Sequence, residues 1–406
     1  MMAINATIER VARESYGRLL AFLTAGSGDW SAAEDALSEA FRSALESWSQ
    51  SGIPEKPEAW LLVVARRRLS DSLRKNQRYA DLDLTRLYAP GTFENATADD
   101  IPDERLQMLF LCAHPAIDRS LHTPLMLQAV LGLTAERIAS AFLIRPSTMG
   151  QRLSRAKAKF KQAKMSFELP DRSLMPRRLN AVMEAVYAAY GAGWEDLQGS
   201  DPRLHGLAEE AIFLGRLLAD RLPDEAEAHG LIALMLYCES RRGARRSASG
   251  SYVPLAEQSA TLWSKDLILE AERHLARAVS LGSVGRFQLE AAIQSAHAYR
   301  IATGFTDWLA IVELYQALLR FAPTAGVRIG HAAAVGEARG AQDGIALLEA
   351  IPAEQVINYQ PYWALMAHLQ AQTGRMEAAS WAYDRAIGLC EDTAVRQFLL
   401  ERARNL

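Results

Sequence analysis

Residues Ser31 to Trp48 read SAAEDALSEAFRSALESW. The apolar positions Ala33, Ala36, Leu37, Ala40, Phe41, Ala44, Leu45 and Trp48 recur at i, i+3, i+4, the period of a helix with one buried stripe. Glu34, Asp35, Ser38, Glu39, Arg42 and Glu46 fall on the opposite face. Ser31 is the expected N-cap, with Glu34 three residues on completing a capping box. Strand-like alternation is nearly absent elsewhere, and helical spacing continues in both directions. The chain is therefore expected to be all-α.

Downstream, Gly52, Pro54 and Pro57 interrupt this helix. A second helix is expected from about Glu58, burying Leu61, Val64, Ala65, Leu69 and Leu73. Its outward stripe reads Arg67, Asp71, Arg74 and Arg78, flanked by Arg66, Arg68 and Lys75. Residues 79–102 lose this periodicity, carry Pro90, Gly91 and Pro102, and set five acidic residues against Arg86, which reads as an acidic linker.

Residues 103–165 resume helical spacing and end in a helix-turn-helix pattern. Thr134 caps a short helix, Ala135 to Phe142, that buries Ile138 and Phe142; residues 143–146 make the turn. Ser147 is the expected cap of the next helix, which buries Met149, Leu153, Ala156 and Phe160. Opposite lie Thr148, Gln151, Arg152, Arg155 and Lys159. A helix that reads DNA needs this division, one side locked in a core and the other long, polar and cationic.

The net charge of −3 averages unlike parts. Residues 1–165 hold 22 basic and 19 acidic side chains, whereas the remainder holds 23 and 29. From Arg145 to Lys164 there are seven basic residues and none acidic. Such a local field suits a polyanionic partner.

Residues 170–406 form an alanine-rich extension with an internal period. Gly340 and Gly374 lie 34 residues apart, as do Ala333 and Ala367. The last unit, with Trp363, Ala367, Gly374, Ala379, Tyr383 and Ala386, approaches tetratricopeptide (TPR) spacing. An earlier unit keeps Ile311, Tyr315, Leu318 and Pro323. Arg241, Arg242, Arg245 and Arg246 cluster beside a Gly/Ser-rich loop, read as a solvated turn with an acidic-partner site as the sharper alternative.

Other classes find little support. Cys112, Cys238 and Cys390 are far apart, so neither a disulfide framework nor a Cys-based zinc site is expected, and a reducing, cytoplasmic setting is. The longest apolar run, Leu231 to Cys238, is too short for a bilayer, so no membrane partner is expected. Glu9, Arg10, Arg13 and Glu14 argue against a signal peptide. The eight histidines show no metal-ligand spacing, and neither a P-loop nor a GxSxG elbow is present. An enzyme is not expected, nor any catalytic residue, metal or cofactor.

At this point the chain resembles the extracytoplasmic-function (ECF) sigma factors of the sigma-70 family. Ala33-Glu34-Asp35-Ala36-Leu37-Ser38-Glu39-Ala40-Phe41 is similar to a sigma-2 helix of that family. Residues 57–66 with Leu73-Arg74-Lys75 resemble the helix that reads the −10 promoter element. Residues 109–117 and Leu131-Gly132-Leu133-Thr134 through Arg155-Ala156-Lys157 are similar to sigma-4. The nearest branch carries a C-terminal TPR-like extension associated with DGPF (YCII-related) proteins. Residues 222–225, 231–236 and 308–323 have counterparts there. Tyr190-Gly191-Ala192-Gly193-Trp194 departs from the Asn-Glu-Gly-Tyr-like motif usual in that branch.

The resemblance implies a sigma-2 domain over 1–78, the linker over 79–102, a sigma-4 helix-turn-helix domain over 103–165 and the TPR-like array over 170–406. Its implied partners are RNA polymerase core, through the β′ and β subunits, and promoter DNA. Thr148, Gln151, Arg152 and Arg155 would contact the −35 element, with Lys157 and Lys159 nearer phosphate. Arg67, Asp71, Arg74, Lys75 and Arg78 would face the −10 element. Glu34, Asp35, Glu39 and Arg42 would dock on the polymerase β′ coiled coil. Trp48 and Trp60 are read as core, not as platforms for a flipped base. The extension is expected to tune activity, with a peptide or protein ligand as one option. The alternative function is a helix-turn-helix regulator with a TPR sensor, acting without polymerase; a pure interaction scaffold is the third class.

Overall fold

Apolar stripes at helical spacing leave a chain no better way to cover its surface than helix on helix, and the computed structural model follows that rule. It describes residues 2–75, 102–142, 144–163, 165, 167–171, 173–195 and 206–406. Among the described residues the β pairing is one isolated bridge, Arg246 with Tyr252. The expected linker, apart from Pro102, and Arg78 lie outside the described residues. Two compact units divide the chain, residues 1–214 and 215–406.

In the first unit, α1 (Met2–Ser27) packs on α2 (Trp30–Ser51) and α3 (Pro57–Lys75). The buried stripe of α2 is Ala33, Ala36, Leu37, Ala40, Ala44 and Trp48, as the spacing predicts. Two expectations fail there. Leu45 is 48% exposed, at the edge of the stripe, although Ala44 and Trp48 on the stripe itself are buried. The N-cap is Asp29, not Ser31: its carboxylate accepts from the Ala32 N–H at 3.2 Å, two residues earlier than the capping box requires. In α3, Leu61, Leu62, Ala65 and Leu69 are buried, whereas Val64 is half-buried. Trp48 and Trp60 meet edge to face with ring centroids 5.5 Å apart, Trp48 fully buried and Trp60 partly so.

The segment after the linker contributes α4 (Arg105–Cys112), α5 (His122–Leu131), α6 (Ala135–Ala141) and α7 (Pro146–Gln162). Helix α1 crosses α5 at Gly17, where a Cβ would stand 1.9 Å from the Val130 carbonyl oxygen; only glycine admits that approach. Thr134 caps α6, its Oγ1 accepting from the Arg137 N–H at 3.2 Å. Helix α7 opens on Pro146 with no side-chain cap, so Ser147 lies inside the helix instead of capping it; proline at the first position needs no donor. Helix α8 (Met175–Glu195) packs on α4 and α5, and Thr123 donates to the Ala185 carbonyl at 3.0 Å.

Helix α9 (Leu207–Arg221) carries the unit boundary. In the second unit, α10 (Ala226–Ser240) is buried along most of its length and accordingly sheathed by α11 (Lys265–Ser280) and α12 (Arg286–Ala298). Glu227 caps α12 by accepting from the Phe287 and Gln288 N–H groups at 2.9 and 3.0 Å. Short α13 (Arg300–Thr303) precedes α14 (Trp308–Leu318), α15 (Ala325–Arg339), α16 (Ala341–Glu349), α17 (Ala353–Val356), α18 (Gln360–Gln372), α19 (Met376–Leu389) and α20 (Thr393–Arg404). Gly340 and Gly374, read from the 34-residue period, both take positive φ (114° and 76°) at helix junctions. Ala367, Ala379, Tyr383 and Ala386 are buried; the small alanines let α18 and α19 touch, and the Tyr383 ring packs into the same core.

The four-arginine cluster is not a solvated turn. Arg246 pairs with Asp392 at 2.6 Å, Arg242 with Glu239 at 2.7 Å, and Arg241 donates to Gln294 at 2.6 Å. Burial pushes Arg245 down to about 10. These cations are spent inside the unit.

Candidate nucleic-acid and polymerase interface

Helix α7 is the element on which the site is built. Met149, Leu153, Ala156 and Phe160 anchor its inner side, all buried at the spacing the sequence predicts. This fixes the opposite side: Gln151, Arg152, Arg155 and Lys159 are exposed and Thr148 is half-exposed. Arg152 and Arg155 carry no hydrogen bond or ion pair among the described residues, so their donors are open to an incoming acceptor.

A cleft of about 380 Å³ runs beside these cations, closed by Arg152, Arg155 and Lys159 on one side and Asp118 and Ser120 on the other. Asp118 caps the short turn Arg119–Leu121, accepting from Ser120 N at 2.8 Å and Ser120 Oγ at 2.7 Å. Those bonds, with Arg152 nearby, hold its carboxyl below the usual range. Lys159 reaches across to the Ala116 carbonyl at 2.5 Å. Asp118 and Ser120 were missed by sequence reasoning, because their spacing from Arg152 carries no local pattern.

Lys157 has a different fate. It forms an ion pair with Glu34, and the two side chains are only 10% and 17% exposed. Thus a residue expected near DNA phosphate and one expected on the polymerase hold each other. Beside them Lys161 pairs with Asp29 at 2.6 Å, and Trp30 stacks on Phe160 with centroids 5.3 Å apart. Asp29, Trp30 and Lys161 were not singled out from sequence. The N-cap chemistry of Asp29 in Gly28-Asp29-Trp30 was the one signal available for them.

The remaining face of α2 is laid out as its spacing predicts. Glu39 and Arg42 pair at 2.5 Å, and Arg42 also reaches Glu46 at 3.2 Å. The Arg42 hydrogen bond holds the Glu39 carboxyl below its ordinary range. Asp35 is exposed. On α3, Arg67, Asp71 and Arg74 are exposed on one stripe, while burial lowers the half-buried Arg66. Lys75 is the last residue of α3. Nowhere among the described residues do three His, Cys, Asp or Glu side chains converge as metal ligands, and all three cysteines are free thiols. No helix among the described residues is long and apolar enough to cross a membrane.

Comparison with known families bears directly on this arrangement. Residues 11–79, which hold α2, α3 and most of α1, match Sigma-70 region 2. Residues 178–279 match a family of unknown function, DUF6596. The chain thus carries a Sigma-70 region 2, which supports a sigma-70 family factor and implies interaction with RNA polymerase core and promoter DNA. More narrowly, it belongs to the family of the uncharacterized protein R00370 of Rhizobium meliloti (strain 1021), with which it is 35% identical over 373 residues, covering 90% of this chain and 88% of that one. No solved structure matches significantly.

Proposed function

We propose that this chain is an ECF-type sigma factor that directs core polymerase to particular promoters in the cytoplasm, without chemistry of its own. The observation that carries the reading is the presence, behind a Sigma-70 region 2, of a second two-helix module whose open face is cationic. In this reading α6 and α7 are a helix-turn-helix of the sigma-4 kind. Arg152, Arg155, Gln151 and Thr148 read the −35 element, and Lys159 and Lys157 approach phosphate. Arg67, Asp71, Arg74, Lys75 and Arg78 serve the −10 element. Asp35, Glu39 and Arg42 dock on polymerase, joined by Glu34 once Lys157 releases it. The helical hairpins of the second unit form a TPR-like array that tunes this activity.

The test is transcription in vitro with purified bacterial core polymerase on the gene's own upstream DNA. The proposal expects RNA chains that start only when this protein is added. Sequence-specific duplex binding without core, and no initiation with it, would overturn the sigma reading in favour of a free-standing regulator. Removing the second unit and finding unaltered promoter activity would remove the tuning role.

A further inference from the structure

A cavity of about 600 Å³ opens in the second unit between α16, α17, α18 and α19, within the size range of small-molecule sites. Its floor is apolar, from the buried side chains of Ile351 and Val356. Its wall is aromatic. Tyr362 and Trp363 meet at 88° with centroids 5.0 Å apart, and Trp363 meets Trp381 at 82°, again at 5.0 Å. This edge-to-face chain satisfies Trp363 but leaves Trp381 58% exposed, with an indole surface free to stack on a planar ring.

One cation belongs to this cavity, and it is held in place. Arg385 donates from Nη2 to the Ile357 carbonyl at 3.2 Å, and its guanidinium lies 5.6 Å from the centre of the Trp363 ring. Trp363 Nε1 donates to the same carbonyl at 3.1 Å, so ring and guanidinium share one anchor. Arg216 and Arg246 in this unit each have a carboxylate at 2.7 and 2.6 Å. Arg385 has none among the described residues, and its other donors are unspent. A guanidinium fork fixed in an apolar, aromatic surround is built for a carboxylate. The Tyr362 hydroxyl is also without a partner among the described residues, and burial followed by the Glu349 charge keeps it protonated as a second donor.

We propose that this cavity is a binding site for a small aromatic monocarboxylate, whose ring stacks on Trp381 and whose carboxylate is taken by Arg385. A cationic ligand is disfavoured, because Arg385 already occupies the Trp363 face with like charge. A second negative charge is disfavoured by Glu349, which lines the rim and is itself unpaired among the described residues. The proposal is independent of promoter recognition.

The experiment is calorimetry, with ligand-observed NMR, on the full-length protein and 3-phenylpropionate as probe. Saturable binding is expected. Its neutral amide should bind at least about tenfold more weakly, the worth of one charge-assisted hydrogen bond. Arg385→Gln should cost a similar factor, Arg385→Lys less, and Trp381→Ala should abolish the ring's NMR contact with the protein, each with an unchanged circular-dichroism melt. Equal affinity for acid and amide, or undiminished binding in folded R385Q, would overturn the assignment. Preferential binding of phenethylamine, lost in E349Q, would overturn it too, making the cavity a cation site. Absence of saturation at millimolar probe would do the same.

Discussion

The two flanks of α7 carry the same kind of residue and meet opposite electrostatic fates. On one flank Arg152 and Arg155 stand in solvent with no ion pair among the described residues, beside an open cleft whose far side carries Asp118. On the other, Lys157 and Lys161 are each neutralised by a carboxylate at the start of α2. A run of seven cations and no acids, which reads as one field, is therefore two devices back to back. The open flank is an acceptor-seeking surface. The paired flank joins the Sigma-70 region 2 to the two-helix module, and Glu34 or Lys157 can reach another molecule only by releasing the other.

The comparison is broken most forcefully on the open flank. Replacing Arg152 and Arg155 together with Ala should lower initiation in vitro by roughly tenfold or more per residue, since a bidentate contact to a base edge is worth about 1–3 kcal/mol. The melting temperature should not move. On the paired flank the order reverses. Glu34→Lys sets two ammonium groups together where both partners are largely buried, and should destabilise the first unit by about 3 kcal/mol in denaturant unfolding. The exchange E34K/K157E should recover most of that loss, which separates the pair from either residue's other duties. A smaller effect is expected at Asp29. D29A removes an N-cap and an ion pair, about 1–2 kcal/mol, whereas D29N keeps the cap and isolates the half-exposed Lys161 contribution.

Much of this was legible in the sequence, and the missing part has a physical cause. The stripe Met149, Leu153, Ala156, Phe160 and the Thr134 cap are local patterns, set by the helix period and by one hydroxyl within reach of one N–H. The junction glycines Gly340 and Gly374 were visible as a period. Caps with two candidates were not decidable from spacing: Ser31 and Asp29 both precede the apolar stripe, and the carboxylate, already facing Lys161, takes the position. Glu34 and Lys157 are 123 residues apart, so no window along the chain contains both. Their meeting depends on how α2 and α7 pack. The same holds for Arg246 and Asp392, which turn an apparently solvated arginine cluster into internal structure.

The sharpest use of the comparison lies at the pair that should matter least to stability. Glu39 and Arg42 are three residues apart on α2, with side chains 45% and 58% exposed, and joined at 2.5 Å. Their geometry is as good as that of Lys161 and Asp29, yet water screens both ends, so the Coulombic gain is nearly cancelled by solvation and side-chain ordering. E39A should therefore leave the unfolding midpoint unchanged within error at physiological salt. If this face docks on polymerase, the same substitution weakens binding to core, because desolvation at an interface raises the worth of a charge that solvent otherwise discounts. Measured side by side, E34K and E39A assign the two carboxylates of one helix to different work. A stability loss in E39A, or unchanged core affinity, would show that α2 does not divide its charges in this way.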